Sequence, residues 1–137
     1  MKKKFGLLLR SYAKDEKVVP EVSNRVLKSV RSALLTKLKD TPAFAEILIL
    51  VPSDYDCGRT ATAILQGVME QSLIGVSVSS PAGYHSCEAL NHGLENLALM
   101  GATHAFIVSN KAMAYLTDEA VAAIDRALDD GAKAVGL

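Results

Sequence analysis

The sequence predicts an α/β fold: a mostly parallel sheet with helices on both faces, in three layers. Three observations lead there. Short apolar runs at Phe5–Leu9, Ile47–Val51 and His104–Val108 read as parallel strands covered on both sides. Amphipathic helical patterns lie between them, such as Val26, Val30, Leu34 and Leu38 at every fourth residue. Polar residues stand where the strands end, as at Ser109-Asn110. In open α/β sheets that is where ligand sites are built.

Taken in order, Phe5–Leu9 is the first strand, behind a basic tail. The apolar run after MKKK is too short for the core of a signal peptide. Arg10 to Glu21 reads as a polar loop with one proline, and Ser23 or Asn24 can cap the helix that follows. Asp40-Thr41-Pro42 breaks that helix. Ile47–Val51 is the second strand, and Pro52 to Gly58 is a loop. Ala61, Ile64, Leu65 and Val68 mark the second helix. Leu73–Ser79 is the third strand. Its Ile74, Val76 and Val78 alternate with Gly75, Ser77 and Ser79, so one face is buried and the strand belongs at an edge. Right-handed crossovers then favour the order 3-2-1-4.

Leu90, Leu94 and Leu97 make one stripe of the third helix. Gly93 beside that stripe lets helix and sheet approach closely, and Gly101 stops the helix in a left-handed conformation. Thr117 caps the last helix, with Asp118 and Glu119 well placed at its positive end. Val121, Ile124 and Leu128 face inward. Gly131 ends this helix, and Lys133–Leu137 starts another strand. The 137 residues form one domain, with no repeats or linkers and no run long enough to span a membrane. Cys57 and Cys87 make neither a CxxC pair nor a disulfide framework, which suits reduced thiols in the cytoplasm.

Net charge is zero but unevenly spread. Residues 1–40 carry eleven Lys/Arg against four Asp/Glu, and residues 41–137 carry the reverse imbalance, four against eleven. A basic face attracts phosphate, nucleic acid or an anionic membrane. The simpler reading is that Arg25, Lys28, Arg31, Lys37 and Lys39 solvate the outer face of one helix. A nucleic-acid surface lacks support, since Phe5 and Tyr12 are the only aromatics in this third.

Phosphate-binding GxGxxG and GxxxxGK[ST] motifs are absent, as are HExxH and GxSxG. His85 and His92, seven residues apart, read as structural or surface histidines. The loop after strand one offers Arg10, Tyr12, Lys14 and Glu16: a tyrosine can stack on a base, and a basic residue can meet phosphate. In the loop after strand two, Asp54 and Asp56 can hold a hard cation. Equally, Asp56 can cap the next helix and Asp54 can fix a turn. The default ligand site is the crevice outside the carboxyl ends of strands one and four.

The order of parts resembles the nucleotide-binding first half of a family 2 glycosyltransferase of the type-A fold, a Rossmann-like architecture. Ala89-Leu90-Asn91-His92-Gly93 matches that family's Ala-x-Asn-x-Gly helix. Tyr12 with Glu16, and the acids Asp54 and Asp56, stand where the family has its Tyr-Asn-Glu-like loop and Asp-rich turn. The resemblance implies a nucleotide or nucleotide-sugar partner. Tyr12 and Glu16 would contact base and ribose, with Asp54 or Asp56 assisting. Asn91, Ser109 and Asn110 would line the diphosphate side. The family's Asp-x-Asp, which carries Mg²⁺ or Mn²⁺, is here Ser109-Asn110-Lys111, so no metal ligand is assigned. Lys111 supplies positive charge at that place. The acceptor half and catalytic base of such enzymes have no counterpart in these residues, so sugar transfer would need additional chain. The alternative is a non-catalytic interaction or assembly module of the same fold, paired with itself or with a partner chain.

Overall fold

The computed structural model describes residues 3–11, 13–52, 58–81 and 87–135. Strand β1 (Phe5–Arg10) leads through a 3-10 turn (Glu16–Val18) into helix α1 (Val19–Leu35). Two short strands follow, β2 (Lys37–Leu38) and β3 (Thr41–Pro42), then strand β4 (Glu46–Leu50) and helix α2 (Arg59–Glu70). Strand β5 (Val76–Ser79), helix α3 (Cys87–Leu99) and strand β6 (His104–Ser109) come next. A 3-10 segment (Asn110–Tyr115) leads to helix α4 (Asp118–Asp129). The main sheet is parallel, in the order β5-β4-β1-β6, and β2 pairs with β3 in a separate antiparallel hairpin. The architecture is α/β and Rossmann-like, and no described helix is long and apolar enough to cross a membrane.

Alternation along β1 divides the core. Leu7 and Leu9 join Ile47, Ile49, Phe106 and Val108 under α1, α2 and α4. Leu8 joins Leu48 and Leu50 under α3. All three leucines of β1 are fully buried, and each contributes about 1.5–3 kcal/mol by leaving water. Two glycines set the helix distances. A Cβ on Gly93 of α3 would lie 2.9 Å from Leu8 Cδ1, and one on Gly67 of α2 would overlap Leu27 Cδ1 of α1.

Several elements differ from the pattern reading. Helix α1 starts at Val19, ahead of Ser23 and Asn24, with Pro20 in its first turn. Proline is tolerated there because its missing N–H would be unpaired in any case. Ser23 is therefore a buried helix residue, not a cap. The helix ends at Leu35, before the Asp40-Thr41-Pro42 breaker. Leu38 reaches the same core from β2, which is why its spacing mimics the helical stripe. Lys37 and Lys39 leave the helix face with it. Lys39 and Asp40 have positive φ (52° and 65°), the geometry of a two-residue hairpin turn.

Strand β5 is shorter than the run Leu73–Ser79. Gly75, at φ +79°, ends a turn, and Ile74 is left 89% exposed. Its one neighbour in the sheet is β4. Strand β6 is not covered on both sides: Phe106 and Val108 are buried, whereas Ala105 and Ile107 are exposed. Residues 133–135 form no strand. Helix α4 lies on the α1 side, where Val121 joins that core. A further parallel strand outside β6 would need a left-handed crossover from that side, which is disfavoured.

The Gly67–Leu27 contact yields a double-mutant test. Gly67→Ala forces about 1–3 kcal/mol of overpacking, against roughly 1 kcal/mol gained in helix propensity. We expect net destabilisation in denaturant titration. In a Leu27→Ala background the clash is gone, and the same change should become neutral or stabilising. Equal effects in both backgrounds would rule out the close approach.

Candidate functional site

The parallel register brings three strand ends abreast. Arg10 pairs with Leu50 of β4 on one side and Ser109 of β6 on the other. The Ser11 N–H extends the ladder by donating to the Leu50 carbonyl at 3.2 Å. From the carboxyl end of β1 the chain passes into α1, and from that of β6 into the 3-10 segment tied to α1, both on one face of the sheet, while α3 on the other face leads into the amino end of β6. The strand order reverses between β1 and β6, and the carboxyl ends at such a reversal are the default ligand position in an open α/β sheet.

On the α1 side, Ser29 Oγ donates to Asn110 Oδ1 at 2.6 Å, tying the end of β6 to the middle of α1. Asp15 Oδ1 accepts from the Lys17 N–H and caps the 3-10 turn. Glu16 pairs with Arg59 at the start of α2, 2.8 Å apart. Both side chains are about half exposed, so the pair is worth at most about 1 kcal/mol. It nevertheless holds the starts of α1 and α2 together. On the α3 side lie Arg10, half-buried, Ser109, exposed, and Asn91, exposed on α3. Arg10 shares the face of Gly6 and Leu8, because side chains alternate along a strand.

The sheet therefore divides the expected binding residues. Asn110 and Glu16 stand on the α1 and α2 side, while Asn91 and Ser109 stand on the α3 side. Tyr12, Asp54 and Asp56 lie outside the described residues, as do Cys57 and His85. His104 has a structural role. Its ring meets Phe5 edge-on at 5.8 Å, and its Nδ1 lies 2.8 Å from Thr103 Oγ1. Among the described residues no group of three His, Cys, Asp or Glu side chains is placed to hold a metal ion. Two participants escape pattern reading. Arg10 has the sequence character of a loop residue but is the last residue of the central strand. Ser29 is a small polar residue inside a helix, and its partner is 81 residues away.

The shifted pKa values lie at the opposite end of the sheet. Lys3, just before β1, bonds to Asp129 and lies 2.6 Å from Asp125, which is itself buried on α4. Donation from the Lys3 ammonium to these two carboxylates raises the Lys3 pKa, and the bond to Asp129 lowers that of Asp129. Lys39 stands 3.8 Å from Asp125, and Asp118 accepts from the Lys37 N–H at 2.9 Å. These contacts dock α4 against β1 and the hairpin. A shallow, solvent-open cleft of about 370 Å³ sits nearby, between Leu35 and Thr36 of one wall and Leu116, Thr117 and Asp118 of the other. Three of its polar side chains have partners within the fold: Thr117 Oγ1 accepts from the Ala120 N–H, Asp118 holds the hairpin, and Thr36 Oγ1 donates to the Ser32 carbonyl.

No protein-family model matches the chain, and no curated protein matches it either.

The Lys3 cluster has a defined pH signature. Lowering the Asp129 pKa stabilises the fold above the ordinary carboxylate range, and the contribution is lost as pH falls through the depressed value. Raising the Lys3 pKa stabilises below the ordinary lysine range, and is lost as pH climbs through the raised value. Wild type and Lys3→Met should therefore differ most in Tm around neutral pH and converge at both extremes. NMR titration should show the Asp129 pKa rising in Lys3→Met. An unchanged Asp129 pKa would show that the pair is not formed.

Proposed function

We propose that the protein is a glycosyltransferase-like domain that binds a nucleotide or nucleotide-sugar at the carboxyl ends of β1 and β6 and transfers no sugar by itself. The observation that carries this reading is the register of Arg10 with Ser109 where the strand order reverses, which sets polar residues of two strands side by side at the place where open α/β sheets bind ligands. In the proposed mode Tyr12 and Glu16 contact base and ribose, with Asp54 or Asp56 assisting. Asn91 and Ser109 line the diphosphate side, while Asn110, expected there too, is held on the opposite face by Ser29. The packing of Gly93 on Leu8 accounts for the glycine of the Ala-x-Asn-x-Gly helix.

The strand-end chemistry argues against metal-assisted transfer. A divalent ion neutralises charge developing on a phosphate leaving group, an effect worth several kcal/mol, and it needs carboxylate oxygens. Ser109 and Asn110 are neutral, and Lys111 is positive. The second reading is a non-catalytic interaction module of the same fold. It is favoured by the uncovered face of β6, where Ile107 is 48% exposed.

Calorimetric titration with UDP- and GDP-linked sugars, with and without Mn²⁺, tests the first reading. We expect weak binding, changed less than about threefold by Mn²⁺, and no turnover. In Ser109→Asp/Asn110→Asp, binding should become Mn²⁺-dependent. An aspartate at 110 still accepts the Ser29 hydroxyl, so the fold is kept. Strong metal-dependent binding or turnover by the unmodified chain would contradict the proposal. An absence of nucleotide binding, with a concentration-dependent dimer in sedimentation, would favour the interaction module.

A further inference from the structure

We infer that Arg10 is the cation that receives the ligand's phosphate oxygens at these strand ends, in place of a metal ion. The inference rests on the nucleotide reading above and names the group that makes it workable without carboxylates at the end of β6.

The argument starts from solvation. A charged side chain drawn out of water is normally paired, because unpaired burial is costly. Arg25, Arg31, Arg59 and Arg126 are all exposed. The first three nevertheless have partners: Glu21, Gln71 Oε1 and Glu16. Arg10 alone among the arginines is half-buried, and no described residue makes a hydrogen bond or ion pair with its guanidinium. Its position is also rigid. It ends the central strand, hydrogen-bonded into the sheet between β4 and β6, directly above the fully buried Leu8 on the same face.

The surroundings suit an anion. Leu50 on one side is buried and supplies a low-dielectric wall, and Ser109 on the other side offers an exposed hydroxyl. Glu16, the acid nearest in sequence among those expected at the site, is paired with Arg59 on the other side of the sheet. A guanidinium presents a planar fork of donors that matches phosphate oxygens two at a time. Lys111 also lies near the end of β6, but it is exposed on the 3-10 segment, where water screens a flexible ammonium.

The test compares wild type, Arg10→Gln, Arg10→Lys and Lys111→Gln by calorimetry with UDP, uridine and inorganic pyrophosphate, without metal. Arg10→Gln should weaken UDP and pyrophosphate about tenfold or more while leaving uridine unchanged. Arg10→Lys should recover part of the loss, and Lys111→Gln should change each value less than threefold. Because the variant removes a half-buried charge that has no partner among the described residues, its Tm should equal or exceed that of wild type, which separates lost binding from lost folding. UDP binding that is insensitive to Arg10→Gln overturns the inference and leaves the nucleotide reading standing. Arg10-dependent pyrophosphate binding with no preference for UDP supports the inference and removes the nucleotide reading. Binding of neither UDP nor pyrophosphate overturns both.

Discussion

The structure depends on β1 being apolar on both of its faces. Leu7, Leu8 and Leu9 are all fully buried, so the strand must lie inside the sheet and must be covered above and below. Parallel neighbours on either side and helices on both faces satisfy that demand together. Helices α1 and α2 cover one face, and α3 covers the other. Once β1 is central, its carboxyl end is flanked by those of β4 and β6. The polar residue that ends it, Arg10, is thereby held in the middle of the sheet's carboxyl edge.

The two faces are covered unequally. On the α1 side the core runs from β5 across to β6 and closes under α4, with Asp118, Asp125 and Lys3 holding that helix in place. On the α3 side one helix covers β1 and β4, leaving Ala105 and Ile107 of β6 in solvent. The sheet consequently has two different edges. The β5 edge is four residues long, carries serines and is followed by Pro81, all features that discourage further pairing. The β6 edge is six residues long, with neither charge nor proline.

Much of this was legible in the residues because it follows from local pattern. Continuous apolar runs marked β1 and β4, and alternating serines marked the strand with a single neighbour. Gly93, Gly101 and Thr117 act as their chemistry suggests: a close approach to Leu8, a positive-φ stop after α3, and a side-chain cap on α4. What was not legible depended on distant contacts. Leu38 kept a helical spacing while lying in a hairpin, because either conformation could deliver it to the same core. The run His104–Val108 is apolar throughout, and no local signal tells that one of its faces lacks a covering helix. Arg10 looked like the first residue of a loop, and only the pairing with Leu50 and Ser109 makes it the end of a strand. Ser29 and Asn110 are 81 residues apart, and no spacing rule joins them. The Ala-x-Asn-x-Gly stretch was visible, yet the structure assigns its glycine to packing and leaves Asn91 exposed on α3.

The ligand chemistry proposed at the junction of β1 and β6 is separate from the structural chemistry at the other end of the sheet, where ion pairs dock α4. Neither the outer face of α1 nor the shallow cleft beside Leu35 has a binding role in it. Hydrogen–deuterium exchange with and without saturating UDP separates these places in one measurement. The account predicts added protection at Arg10-Ser11 and Ser109–Lys111, with the amides of Leu35–Lys37 and Thr117–Glu119 unchanged. Protection confined to the cleft or to the outer turns of α1, with the ends of β1 and β6 unaffected, would contradict it.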